Sequence, residues 1–238
     1  MEILCISDTH RKHSEIHHVY PDHINNKDNF YDMIIHAGDI SSYGHKKEII
    51  EFLEWYSNLP FKHKILISGN HDFFFDYDRR PHTEIGLQRH GLPKYSKEIV
   101  DDVLLNYPNV IYLNNSGVEI DGIKIWGSPI TPWFHDLAFN RMDKEIKEEW
   151  DLIPLDTNIL ITHGPVRGIL DLTVGGVYTG CPYLLEKIEE LKVLKFHICG
   201  HIHEGYGKFV DSSGITFINA SVLNHLYIMT NPPTHITY

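Results

Sequence analysis

The stretch Met33-Ile34-Ile35-His36-Ala37-Gly38-Asp39-Ile40 decides how the rest of the chain is read, because an apolar strand signal ends at a glycine and presents one carboxylate, Asp39. In an open α/β sheet, a buried strand followed at once by Gly-Asp places a charged side chain in the crevice at the strand ends. Taken alone, the fragment also reads as an ordinary tight turn. The same pattern, an apolar run ending in metal-ligand residue types, recurs four more times. Ile3-Leu4-Cys5-Ile6 runs into Ser7-Asp8-Thr9-His10, and Lys64-Ile65-Leu66-Ile67 runs into Ser68-Gly69-Asn70-His71-Asp72. Asn158-Ile159-Leu160-Ile161 leads to Thr162-His163-Gly164, and Phe196-His197-Ile198-Cys199 leads to Gly200-His201-Ile202-His203. A histidine after a strand is commonly a surface or hydrogen-bonded core residue, an explanation that serves one fragment better than five in series. Oxygen and imidazole donors without a thiolate suit two closely spaced divalent cations of intermediate softness.

Asp-x-His, Gly-Asp, Gly-Asn-His-Asp, Thr-His-Gly and Gly-His-x-His, in that order from Ile3 to His203, resemble the calcineurin-like metallophosphoesterase superfamily. Trp126-Gly127-Ser128-Pro129, Pro132-Trp133-Phe134, Ala138-Phe139-Asn140 and His201-Ile202-His203-Glu204-Gly205-Tyr206-Gly207 resemble its small stand-alone subgroup of metallophosphoesterase-domain-containing proteins. The resemblance implies an α/β fold, a four-layer α-β-β-α sandwich of two mixed β-sheets flanked by helices. It implies that Asp8, His10, Asp39 and His203 hold one metal, that Asp39, Asn70, His163 and His201 hold the other, and that Asp39 bridges. Bridging suits a carboxylate whose two oxygens serve cations about 3.5–4 Å apart, with a hydroxide between them as nucleophile. His71 follows a ligand directly and is the implied general acid; its alternative is a structural histidine capping the turn. His36 and Asp72 lie near enough in sequence to support the ligands. Manganese is the metal expected, with Fe, Zn, Co and Ni as alternatives.

One departure bears on the substrate. Protein Ser/Thr phosphatases of this superfamily carry Gly-Asp-x-x-Asp-Arg-Gly, whereas this chain has Gly38-Asp39-Ile40-Ser41-Ser42-Tyr43-Gly44. A phosphoprotein substrate is thereby disfavoured, and both the residue orienting His71 and the phosphate-binding cation are left open. Asn140, Arg141 and the Arg79-Arg80 pair are candidates for the latter, each with a surface role as its alternative.

A net charge of −11 over 238 residues, with histidine neutral, disfavours a duplex-DNA or anionic-membrane binder, since such proteins carry a basic face. The ligand motifs run from residue 8 to residue 203, so the expectation is one domain over residues 1–238. Three cysteines, Cys5, Cys181 and Cys199, leave one unpaired in any disulfide scheme, which suits a reducing compartment, and no apolar run reaches spanning length. A cytoplasmic protein with no membrane partner is expected.

Helical spacing predicts a crossover helix within Gly44 to Leu59, a helix over Ser96 to Tyr107, a charged helix over Met142 to Trp150, and one entered at Pro182. Val110 to Leu113, Val118 to Ile120 and Ile123 to Trp126 read as short strands opening a second sheet, with Asp121-Gly122 as a hairpin turn. The His-rich segment Arg11 to Tyr31 reads as a solvated loop with a helical turn. Asp72 to Pro93 reads either as a flap packed by its own aromatics or as a wall of the substrate pocket. Ser128 to Asn140 reads as an ordered loop beside the site, Phe209 to Asn219 as a hairpin, and the tail from Val222 carries no signal.

Three functions are open: a phosphodiesterase on small substrates such as cyclic nucleotides, a DNA or RNA nuclease, and a protein-interaction scaffold that has kept the fold and lost the chemistry. A nuclease calls for a basic track, which the charge balance disfavours. A scaffold is expected to have lost ligands, and all seven are present.

Overall fold

Strands with apolar residues on both faces must be covered on both faces, and this chain builds two sheets to do so. The computed structural model describes residues 1–78 and 80–238. Strands β1 (Glu2–Ile6), β2 (Met33–Ala37), β3 (His63–Ile67) and β4 (Val110–Tyr112) run parallel in that order. Six strands form the second sheet: β5 (Ser116–Ile120), β6 (Ile123–Ser128), β9 (Ile159–Thr162), β10 (Phe196–Cys199), β11 (Gly207–Val210) and β12 (Thr216–Asn219). Their order is β11-β12-β10-β9-β6-β5, parallel through the centre and antiparallel at both edges. A separate two-stranded ribbon pairs β7 (Thr131–Pro132) with β8 (Asn140–Arg141), and β13 (Thr234–Thr237) adds antiparallel to β1.

Side chains alternate across a strand, so each strand divides its residues between two cores. Ile3, Cys5, Met33, Ile35, Ile65 and Ile67 meet Ile125, Ile159, Ile161, Ile198 and Ile218 between the sheets. The opposite parity, Leu4, Ile6, Ile34 and Leu66, packs outward in a cluster with Ile49, Phe52, Leu53 and Tyr56. Those four lie on α3 (Lys46–Ser57), which follows two single-turn helices, α1 (Ile16–Val19) and α2 (Pro21–Ile24). The same outer cluster takes in Leu160 and Phe217 with Trp150 and Ile188 from α6 (Asp143–Asp151) and α7 (Pro182–Glu190). The expected α-β-β-α sandwich results. No helix among the described residues is long and apolar enough to cross a membrane, and all three cysteines are buried and unpaired.

Four segments differ from the sequence reading. Val110–Tyr112 does not open the second sheet but closes the first, because α5 (Lys97–Leu104) is a crossover that returns the chain parallel to β3. Asp72 to Pro93 buries its aromatics, Phe73, Phe74 and Phe75, in a single 3₁₀ turn, and carries a helix absent from the sequence reading, α4 (Pro81–His90). Pro81 at its first position and Gly91 in the left-handed C-cap delimit that helix, whose weak apolar face hid it. The Arg11 to Tyr31 segment folds into short helical turns with His13 buried, and the tail ends in a sheet strand. The Asp121-Gly122 turn forms as read, with φ of 50° and 82°.

Gly86 on α4 packs so closely that an added Cβ would lie 2.0 Å from the Asp136 carbonyl oxygen. Gly to Ala inside an exposed helix stabilises by about 1 kcal/mol. At Gly86 the sign should reverse, and G86A should cost about 1–3 kcal/mol through overpacking. Urea titration of the two proteins checks this; an unchanged or higher midpoint would show that the helix and the 131–141 loop are not in contact.

Candidate metal centre

The parallel strands β1, β2, β3, β9 and β10 all release their chains at one edge, and the candidate ligands lie one to four residues beyond their ends. The edge is stitched together by backbone. Asp8 N–H donates to the Gly38 carbonyl, His10 N–H to that of Asp39, and Gly200 N–H to that of His163. A parallel bridge between Ser7 and Ser221 joins the two sheets at the same edge. The ligand turns are tight: Asp8, His10, Asp39 and His201 have φ of 54°, 39°, 55° and 67°, in the left-handed region that costs an L-residue energy. At Gly69 a Cβ would fall 2.2 Å from Asp39 Oδ1, and at Gly200 one would fall 2.1 Å from Asp8 Oδ2. Only glycine lets these carboxylates approach the neighbouring backbone.

Two donor groups result, Asp8 with His10 and His203, and Asp39 with His163 and His201; within each, the donor atoms lie within 4.8 Å of one another. Asn70 joins the second, its Oδ1 2.9 Å from His163 Nε2. Asp39 stands between the groups, with Oδ2 3.3 Å from His163 Nε2 and 3.6 Å from His10 Nε2. All seven expected ligands are therefore brought together.

The histidines are aimed by main-chain carbonyls. Nδ1 of His10 is 3.1 Å from the Ser41 oxygen, that of His163 2.9 Å from Ala37, and that of His203 3.0 Å from Asn224. A carbonyl can only accept, so Nδ1 carries the proton and Nε2 turns towards the carboxylates. His10 Nε2 is buried with no hydrogen-bond partner, a costly state for a lone pair unless an electrophile faces it. Divalent cations fit this donor set.

The electrostatics of the protein alone are consistent with that fit. Burial pushes His10 down to about 4 and His201 to about 3, so both are neutral. Burial also opposes charge on His163 and His203, but Asp39 beside the first and Asp8 beside the second outweigh it and raise both to about 9. Burial likewise opposes ionisation of Asp8 and Asp39, yet their histidine partners hold both carboxyls below the usual range. Two imidazolium ions thus balance two carboxylates, positions that divalent cations would take over.

His71 is set apart. Its N–H donates to Asp39 Oδ1 at 2.8 Å, while its ring Nδ1 faces the Ser42 carbonyl at 2.8 Å. Its ring centroid lies 4.9 Å from that of His10. Asp72 does not touch the His71 ring; it accepts from Gly69 N–H, Ser41 N–H and Ser41 Oγ, clamping the second ligand turn to the third. Burial and the Asp39 charge push Asp72 up to about 6. His36, driven to about 3 by burial, takes the Gly38 N–H on Nδ1 and meets Thr9 Oγ1 through Nε2. The phosphate-cation candidates are otherwise engaged. Asn140 is buried and braces its own loop, Arg141 is buried against Glu149, and Arg80 pairs with Glu145 and Glu149; Arg79 lies outside the described residues. Two contributors escaped the sequence reading: Asn224, through its carbonyl, and Tyr227, whose ring packs on His10 and His203.

A four-layer sandwich with two thiolate-free donor groups at its strand ends is the class of fold and site suited to a pair of divalent metal ions. A family model described as calcineurin-like phosphoesterase matches residues 1–205. Human metallophosphoesterase domain-containing protein 1 is 37% identical over 235 residues, covering 97% of this chain and 68% of the relative. The phosphopantetheinyl hydrolase PptH of Mycobacterium tuberculosis superposes with a TM-score of 0.57 at 15% identity, over 92% of this chain and 88% of the other. A dimetal phosphatase from Danio rerio gives 0.55 at 14% identity, over 95% and 88%. The chain belongs to the calcineurin-like phosphoesterase family and is a metal-dependent phosphoesterase.

Removing metal should expose the charge pattern as a pH profile of stability. His163 and His203, raised to about 9 from 6.5, bind protons in the folded state that the unfolded chain has released above 6.5. Their stabilisation is complete below 6.5 and is lost as pH rises through about 9. His10 and His201 act oppositely, destabilising as pH falls below 6.5. Chelator-treated protein should therefore lose stability from near-neutral pH towards pH 9, and manganese should abolish that alkaline decline. Urea titrations across pH check it; a flat alkaline limb without metal would remove the ion-pair assignment.

Proposed function

We propose that this protein is a manganese-dependent phosphodiesterase acting on small substrates such as cyclic nucleotides, with His71 as the proton donor to the leaving oxygen. Asp8, His10, Asp39 and His203 would hold one cation and Asp39, Asn70, His163 and His201 the other, with Asp39 shared. When bound, such a pair supplies Lewis acidity towards phosphoryl oxygens and makes water a nucleophile at neutral pH.

The observation that carries the reading is the fixed ring of His71 beside this donor set. With Nδ1 tied to the Ser42 carbonyl, Nε2 is left for a substrate, and the Asp39 contact to the His71 backbone keeps the ring at the centre's edge. In its imidazolium form Nε2 can give a proton to an alkoxide as the P–O bond breaks. The neutral oxygen of Asn70 limits the negative charge facing an anionic substrate. A diester is favoured over a monoester because three arginines near the ligand turns already face carboxylates. Arg11 pairs with Glu48, Arg80 with Glu145 and Glu149, and Arg141 with Glu149, so a singly charged diester needs less compensation than a dianion. Buried, unpaired cysteines suit a reducing, cytoplasmic setting.

Metal-stripped protein resupplied with manganese should cleave bis-p-nitrophenyl phosphate in preference to p-nitrophenyl phosphate, and N70A should lose most of that turnover. H71A should slow cleavage of a cyclic nucleotide by about 10²–10⁴-fold, the usual weight of a general acid. The same variant should lose far less on the p-nitrophenyl diester, whose leaving group needs little protonation. Equal losses on both substrates would deny His71 the acid role, and no turnover of any ester with any divalent metal would return the scaffold function.

A further inference from the structure

Two half-exposed aromatic rings stand against the donor histidines, one at each end of the centre. Tyr227, 46% exposed, has its ring centroid 5.0 Å from those of both His10 and His203, edge-on to each. Phe134, 52% exposed, lies 6.4 Å from His201 at an interplanar angle of 85°. The first abuts one donor group and the second abuts the other.

Both rings sit on backbone held at a cost. Tyr227 has a φ of 57°, and its carbonyl accepts from Lys12 Nζ at 2.8 Å. The turn around it is closed by Asn224, whose side-chain oxygen takes the N–H groups of Leu226 and Ile228. Because the Asn224 carbonyl also aims His203, one residue sets both a metal donor and the ring beside it. Phe134 is followed by His135 and Asp136 at φ of 54° and 60°, and its N–H donates to the buried Asn140 Oδ1 at 3.0 Å. Strain of this kind persists where the surroundings enforce it, and it gathers at ligand clamps. Here it fixes two flat apolar surfaces half in water, where burial alone would not hold them.

We propose that Tyr227 and Phe134 are the two walls that receive the two ester arms of a diester, each stacking a planar arm, so that the site selects aryl or nucleobase-bearing arms over alkyl ones. The proposal rests on the phosphodiesterase reading above and deepens it. An open-chain diester held by its phosphorus between the donor groups has one arm for each wall, whereas a monoester, or a cyclic nucleotide with both ester oxygens on one sugar, has an arm for only one. Aromatic stacking is sequence-tolerant and needs no hydrogen-bond code, so these walls set the class of arm rather than one base.

The test is calorimetric binding of diphenylphosphinate and dimethylphosphinate to the manganese-loaded protein. Both are monoanions like a diester, and their P–C bonds are not hydrolysed. The native protein should bind the diphenyl compound more tightly. Y227A and F134A should each weaken it by about 3- to 10-fold, the usual weight of one aromatic contact. The double variant should lose nearly all the preference, Y227F should keep it, and dimethylphosphinate should bind all variants alike. Equal weakening of both ligands would show that the rings merely pack the histidines and would overturn the proposal. Equal affinity of the native protein for the two ligands would sink the walls alone, while binding of neither would overturn the phosphodiesterase reading together with them.

Discussion

Asp39 is the constraint from which the rest of the centre follows. Its carboxylate is almost fully buried and, among the described residues, pairs with histidines and not with a lysine or arginine. An ionised carboxylate in such a place needs opposite charge and hydrogen bonds at close range, or it neutralises. Asp39 finds the His71 N–H, the His163 ring and, farther off, His10. Each partner comes from a different strand end, so satisfying one buried charge ties β1, β2, β3 and β9 together at a single point. Gly69 is the geometric side of the same requirement, since any Cβ there would occupy the carboxylate's place.

The second layer is made of main chain. Three donor histidines and His71 each spend Nδ1 on a carbonyl, of Ser41, Ala37, Asn224 and Ser42. A carbonyl adds no net charge, so the rings are oriented and their tautomer chosen without further loading an already charged pocket. It also makes ring orientation depend on loop position, which explains the lacing of the ligand turns through Asp72 and through Asp8, His10 and Gly200.

Side-chain chemistry was legible in the sequence and main-chain chemistry was not. The five strand ends announced themselves as apolar runs stopping at Asp, Asn or His, and the fold followed because such strands need cover on both faces. Orientation by Ser42 or Asn224 left no mark, since every residue owns a carbonyl. Tyr227 lies in a tail with no periodicity, and its place beside His10 depends on contacts across almost the whole chain length, Val222 N–H to the Ser7 carbonyl and Lys12 Nζ to the Tyr227 carbonyl. α4 has no clear sequence signal because Ile85 and Leu87 outline too little of an apolar face, and the sequence of Val110–Tyr112 does not decide its sheet because a short strand does not state its neighbour.

The departure at Gly38-Asp39-Ile40-Ser41-Ser42-Tyr43-Gly44 shows how a position can keep a task while changing the atoms that perform it. Ser42 stands where the protein phosphatases of the family carry the acid that orients the catalytic histidine, and here its backbone oxygen reaches His71 Nδ1. A carboxylate there would both aim the ring and stabilise its positive form; a carbonyl aims it with only a dipole behind it. Tyr43 follows, where those phosphatases have the arginine, and its ring rests beside His90 with nearly half its surface in water. Two charges of opposite sign are thus absent together, so the local balance is preserved while the ability to grip a dianionic phosphate is reduced. Gly44 is retained for a reason independent of substrate: a Cβ would strike the Phe73 nitrogen at 2.3 Å, where the turn beneath His71 passes. The backbone frame of the loop is kept and its charged side chains are exchanged, a change that accords with the monoanionic ester proposed as substrate.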